Sequence, residues 1–110
     1  MDASLQREPE LNKLLRVAKK HGASDLYLDV GSAPCVRLRG VRRHMEMRPL
    51  LQEDLVRLVS PLLYGEQLQR LGRGEDVAFI YTFEEGDLYR VRVCNQAGQF
   101  SLSAHRLGTA

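Results

Sequence analysis

The sequence predicts an α+β domain: a largely antiparallel sheet of about six strands with helices on one face, in the order α-βββ-αα-βββ. Three observations carry this. A helical stripe of Leu11, Leu14, Leu15 and Ala18 runs at once into an alternation, with Leu26, Leu28 and Val30 opposite Asp25, Tyr27 and Asp29. The predicted strands fall into two groups separated by helices, without the βα alternation that builds a parallel sheet. Four of the strands, Ser24–Val30, Cys35–Arg39, Leu88–Cys94 and Gln99–Leu107, are apolar on one face, as a sheet covered on one side requires.

Each element has its own signals. Met1 to Glu8 reads as a flexible lead-in, and Pro9 suits the first turn of a helix. Glu10 in the first turn and Lys19, Lys20 and His21 in the last complement the helix dipole, and Gly22 is a fitting stop. The first strand spans Ser24 to Val30. After the Gly31–Pro34 turn, Val36 and Leu38 alternate with Arg37 and Arg39, and Val41 to Met47 answers as a third strand. Leu51, Leu55, Leu58, Val59, Leu62 and Leu63 form a second helical stripe, which Pro61 should bend or end near Ser60. Glu66 to Leu71 reads as a short helix with Leu68 and Leu71 facing in. Asp76–Phe83, Leu88–Cys94 and Gln99–Leu107 are the last strands, joined by turns at Glu84–Asp87 and Asn95–Gly98. Gly108 to Ala110 reads as a trailing end, so the domain is expected over residues 10–107, with 1–9 as lead-in.

Length and composition bound the rest. A chain of 110 residues, 44% apolar, forms one domain with a real core. No run of about 18 apolar residues is present, so direct membrane insertion is not expected. The charged N-terminus has no apolar core of a signal peptide, and a cytoplasmic protein is the expectation. Cys35 and Cys94 lack CxxC spacing and read as free thiols. The net charge of +2 does not imply nucleic acid. The cations other than Lys13, Lys19 and Lys20 are arginines, whose planar fork suits phosphate and carboxylate. A GC-rich genome would give the same bias.

Several chemistries lack their motifs. There is no GxxxxGK(S/T) loop to cradle a nucleotide, no GxGxxG after a strand, no HExxH, and no cysteine–histidine cluster with zinc spacing. His21, His44 and His105 sit in no nucleophile motif. Asp25 and Asp29 share a strand face and read as solvated carboxylates beside arginines. The chain alone is therefore not expected to be an enzyme, and no catalytic residue, metal site or cofactor is assigned to it. Arg37, Arg39, Arg42, Arg43, Arg90 and Arg92 form the polar side of the strands. RNA-binding sheets add exposed aromatics there, and here the aromatics mostly alternate onto core faces, so no nucleic-acid partner is expected.

Taken in order, these residues resemble the N-terminal domain of the PilT-type twitching-motility ATPases, members of the type II/IV secretion ATPase superfamily. Lys20-His21-Gly22-Ala23-Ser24-Asp25-Leu26-Tyr27-Leu28 is similar to that family's KGASDLHL. Ala33-Pro34 with Val36 to Gly40 is similar to its PPxxRxxG, and Leu50 to Asp54 to its LTxED. Glu75 to Phe79 resembles ExDFSF. Tyr89 to Val93, Gln96 and His105-Arg106-Leu107 resemble FRVNxxxQ and a closing FRxI. Tyr27 stands in place of the usual histidine, and Arg92 in place of the usual asparagine.

The resemblance implies a PAS-like fold preceding a RecA-like ATPase domain, with six chains in a ring. It implies that this domain packs on a neighbouring subunit's ATPase domain, in contact with pilus or secretion machinery at the inner face of the inner membrane. Arg90 and Arg106 match the FRVN and FRxI arginines, so the resemblance implies phosphate contact in trans through them. ATP and magnesium would belong to the parent ATPase. The chain stops at Ala110 before any Walker motif, which fits either a domain excised from a longer motor or a stand-alone relative. The alternative function is a PAS-like sensor or protein-interaction module without an ATPase. A pocket lined by Tyr27, Tyr81 and Tyr89 would favour the sensor; a flat, arginine-bearing face would favour the motor domain.

Overall fold

The first helix, α1 (Glu10–Lys20), fixes the layout, because its end is tied directly to the first strand. Ala23 N donates to Ala18 O at 2.9 Å and Gly22 N to Lys19 O at 3.0 Å. This double closure needs a left-handed residue after the cap, and Gly22 supplies it at φ 74°. The chain then turns straight into β1 (Asp25–Asp29), so the apolar stripe of α1 lands on the apolar face of that strand. Leu11, Leu15, Leu26 and Leu28 are all fully buried.

The computed structural model describes residues 8–109, so most of the expected lead-in lies outside the described residues. Beyond β1 come β2 (Cys35–Leu38), β3 (Val41–His44), α2 (Gln52–Val59), a 3-10 turn (Ser60–Leu62), α3 (Gly65–Gly72), β4 (Val77–Thr82), β5 (Asp87–Gln96) and β6 (Gln99–Thr109). All six strands form one sheet in the order β3-β2-β1-β6-β5-β4, with every neighbouring pair antiparallel. This is the α+β architecture that the sequence predicts.

The core lies between the helices and one face of the sheet. Leu26, Leu28, Val77, Tyr89, Val91, Val93, Leu102 and Ala104 turn toward Leu11, Leu15, Leu55, Val59 and Leu71. The other face carries Asp25, Tyr27, Arg37, Arg90, Arg92, Ser103 and His105, at the alternate strand positions. Helix α2 begins as its acidic first turn requires: Asp54 Oδ2 accepts from Leu51 N at 2.8 Å. Leu51 has no side-chain acceptor, so only this half of a capping box forms. Pro61 falls in the 3-10 turn and ends α2 at Val59, as expected.

Three expectations are corrected. Leu68 is 37% exposed rather than inward. Helix α3 is eight residues long and rests on the sheet through Leu71, which leaves the residue one turn earlier at the rim. The third strand stops at His44, short of Met47. Gly108 and Thr109 are not a trailing end: they pair with Leu88 and Asp87, after a bulge at which Leu107 is the extra residue.

Candidate functional site

The two arginines singled out by the sequence lie beside one another in the ladder but face opposite ways. Arg90 pairs with His105, and Arg106 with Tyr89. Arg90 is exposed on the open face; Arg106 projects on the helix side with buried Tyr89. They do not form a joint pair. The alternation itself could have shown this, because Arg106 continues the parity of Leu102 and Ala104, and Arg90 opposes that of Tyr89 and Val91.

Arg106 has a built environment that sequence reasoning missed. Its Nε lies 3.0 Å from the carboxylate of Asp87, which is fully buried. Lys19, from the last turn of α1, brings Nζ to 3.4 Å of the same carboxylate. Burial alone would push the Asp87 carboxyl up, but the Arg106 hydrogen bond and the charges of Arg106 and Lys19 outweigh it and hold it below the usual carboxylate range. Asp87 in turn holds Arg106 firmly protonated. The Arg106 side chain is 39% exposed and lies beside the buried Tyr89 hydroxyl as well as the Asp87 carboxylate. Lys19, Gly22, Ala23 and Arg106 together line an open hollow of about 250 Å³. The signal for this site was Asp87 itself: placed in an acidic turn by its neighbours, it begins β5 on the parity of the core.

Basic groups continue along the same rim. Arg16 and Lys19 lie 5.9 and 5.8 Å from the centre of the Phe83 ring. Arg16 also pairs with Glu84 at 2.8 Å. On the open face, the Arg42 guanidinium stacks 3.8 Å from the Tyr27 ring, and Arg37 Nε donates to Tyr27 Oη at 3.1 Å. Asp25 Oδ2 lies 2.9 Å from His105 Nδ1, and its Oδ1 accepts from Ser24 at 2.6 Å. The three tyrosines do not converge: Tyr27 stands on the open face, while Tyr81 and Tyr89 pair on the helix side. Cys35 and Cys94 are free thiols, as expected.

A second charged centre is structural. Arg48 grips Asp54 with two hydrogen bonds, of 2.8 and 2.9 Å, and Arg57 adds a third at 3.1 Å. The Arg48 fork, then the Leu51 amide, hold the Asp54 carboxyl far below its ordinary value. This cluster pins the loop before α2 to the helix.

A six-stranded antiparallel sheet with three helices on one face, joined in this order, recurs within larger chains of known structure. The pilus retraction motor PilT, solved with bound ADP, matches 94% of this chain with a TM-score of 0.80 and 24% identity. The ATPase DotB of Legionella pneumophila matches 91% at TM-score 0.74 and 20% identity. DotB of Yersinia pseudotuberculosis matches 91% at TM-score 0.68 and 15% identity. At these identities the likeness establishes the fold. The chain spans 30%, 31% and 30% of those three chains, respectively. No protein-family model and no curated protein matches the sequence. No helix among the described residues is long and apolar enough to cross a membrane.

Proposed function

We propose that this chain acts as the non-catalytic N-terminal assembly and regulatory domain of a PilT-type pilus retraction or secretion ATPase. In this reading it packs on the ATPase domain of the same or a neighbouring subunit, at the cytoplasmic side of the inner membrane. The observation that carries the reading is the fold match over 94% of the chain, together with the Gly22–Leu28 motif at the joint of α1 and β1. ATP and magnesium would be held by the neighbouring ATPase domain, and the ring would work with pilus or secretion machinery.

The phosphate role falls on Arg106 more than on Arg90. Arg106 is held on one edge by Asp87, is 39% exposed, and has Lys19 beside it. A guanidinium fixed in this way can meet phosphate oxygens without first being ordered. Arg90 lies on the other face and would need a separate contact. The test restores the domain to a full ATPase chain and changes each arginine to alanine. Mixed rings with a P-loop-dead subunit report whether the arginine acts across the boundary. Arg106→Ala should lower ATP turnover by ~10³-fold if the arginine serves the transition state. Parental turnover by both folded alanine variants would rule the phosphate role out.

A further inference from the structure

The two edges of the sheet are built differently. Strand β3 is a protected edge: four residues, two of them arginines, which discourage another strand from adding. Strand β4, Val77-Ala78-Phe79-Ile80-Tyr81-Thr82, closes the other edge with six residues and neither a charge nor a proline. Phe83 N donates to Asp87 O at 2.7 Å. The antiparallel alternation from that bond directs the backbone groups of Tyr81, Phe79 and Val77 toward β5, and those of Ala78, Ile80 and Thr82 outward. Among the described residues, nothing hydrogen-bonds to those three outward positions.

We propose that β4 is a self-association edge, at which two copies pair β4 against β4 antiparallel about a two-fold axis through Ile80. The register is self-complementary. Ile80 meets its symmetry mate, and Ala78 meets Thr82, with their outward amides and carbonyls exchanged. On the helix side, Phe79 lies opposite Tyr81 of the other copy, an aromatic cross-strand pair at each side of the axis. Ile80 is 55% exposed on the open face and gains its symmetry mate as a cross-strand neighbour at the seam.

Charge selects a second copy over an arbitrary strand. Near the start of β4, three arginines (Arg70, Arg73, Arg92) face two carboxylates (Glu75, Asp76), a balance of +1. At the far end, the paired carboxylates Glu8, Glu84 and Asp87 are matched by Arg16, Lys19 and Arg106, and Glu85, in the turn directly after β4, has no ion pair among the described residues, a balance of −1. An antiparallel pair brings each start against the partner's end, so opposite signs meet twice. A parallel pair would set like against like. The seam is small beside the ~1,200 Å² of stable interfaces, so association should rise with concentration rather than be complete at low dose. This inference is independent of any ATPase partner.

Sedimentation equilibrium of this chain from micromolar to millimolar concentration tests it, with amide hydrogen exchange read at both ends of the range. The expected result is a monomer–dimer equilibrium in which the Ala78, Ile80 and Thr82 amides slow as the dimer fills. Ile80→Pro removes an outward N–H without touching the β5 ladder, and should leave a folded monomer. Ile80→Lys sets two like charges opposite each other at an exposed position. It should also abolish the dimer, and it decides the matter if the proline variant fails to fold. Arg73→Glu and Glu85→Arg should each weaken association, and the double variant should restore it. A monomer throughout the range overturns the proposal, as does a dimer retained by folded Ile80→Lys.

Discussion

Asp87 and Arg106 face one another across the last two strands, with the carboxylate fully buried and the guanidinium half in water, 3.0 Å apart. Because Asp87 titrates below its ordinary value when folded, its contribution to stability is present above the unfolded carboxyl pKa of about 3.9 and fades as the pH falls through the lower folded value. Asp87→Asn should cost about 1–3 kcal/mol at neutral pH, nearer the lower figure because both cationic partners reach water. Urea unfolding at a series of pH values should show parent and variant converging as the medium becomes acidic. A constant gap down to the acid limit would mean that the carboxylate charge does not matter.

Gly22 holds a left-handed conformation at φ 74°, and a Cβ there would meet nothing within 4 Å. The cost of Gly22→Ala is therefore conformational, about 1–2 kcal/mol. Denaturant midpoints check this, and an unchanged midpoint would mean that α1 and β1 are joined more loosely than their hydrogen bonds imply.

Leu26 is fully buried where α1 meets the sheet. Leu26→Ala should destabilise by about 2–5 kcal/mol, the range for deleting a core leucine. Calorimetry on the variant would register this as a lowered Tm with the fold retained. A loss under 1 kcal/mol would show that the site collapses around the gap.

We propose that the chain alone does not hydrolyse ATP, because its sequence contains no GxxxxGK(S/T) loop to cradle β- and γ-phosphates with magnesium. Phosphate release by purified protein, abolished by a point change in this chain, would contradict this.

Much of the architecture was legible because burial is one-sided. Where one face of a strand must be dry, alternation shows itself, as at Leu26 and Leu28 or Tyr89, Val91 and Val93. Helix ends were legible where a residue has one dominant use, as at Gly22 and Pro61. What escaped depends on contacts distant in sequence. Nothing around Leu68 says that α3 touches the sheet only at its end. The bulge at Leu107 arises from matching two strands, not from either alone. Asp87 looked like one more acid in an acidic turn, because its partners Lys19 and Arg106 come from the far ends of the chain. Arg90 and Arg106 lie next to one another in the ladder but on opposite faces, and which face each side chain takes was written in the same alternation.

The strand order has a consequence for when the domain can exist. Strands β1, β2 and β3 are consecutive neighbours, as are β4, β5 and β6, so each half can zip locally. The halves meet only where β1 lies against β6, joining Asp25 to His105 across 80 positions of chain. That seam is the middle of the sheet, and its second side is the last of these six strands to be synthesised. A ribosome-bound chain that has not yet released β6 therefore holds two half-sheets with Leu26 and Leu28 lacking their central neighbour. Closure of this long loop should set the folding rate of the domain, and a chaperone that shields the early half would have its greatest effect just before β6 emerges.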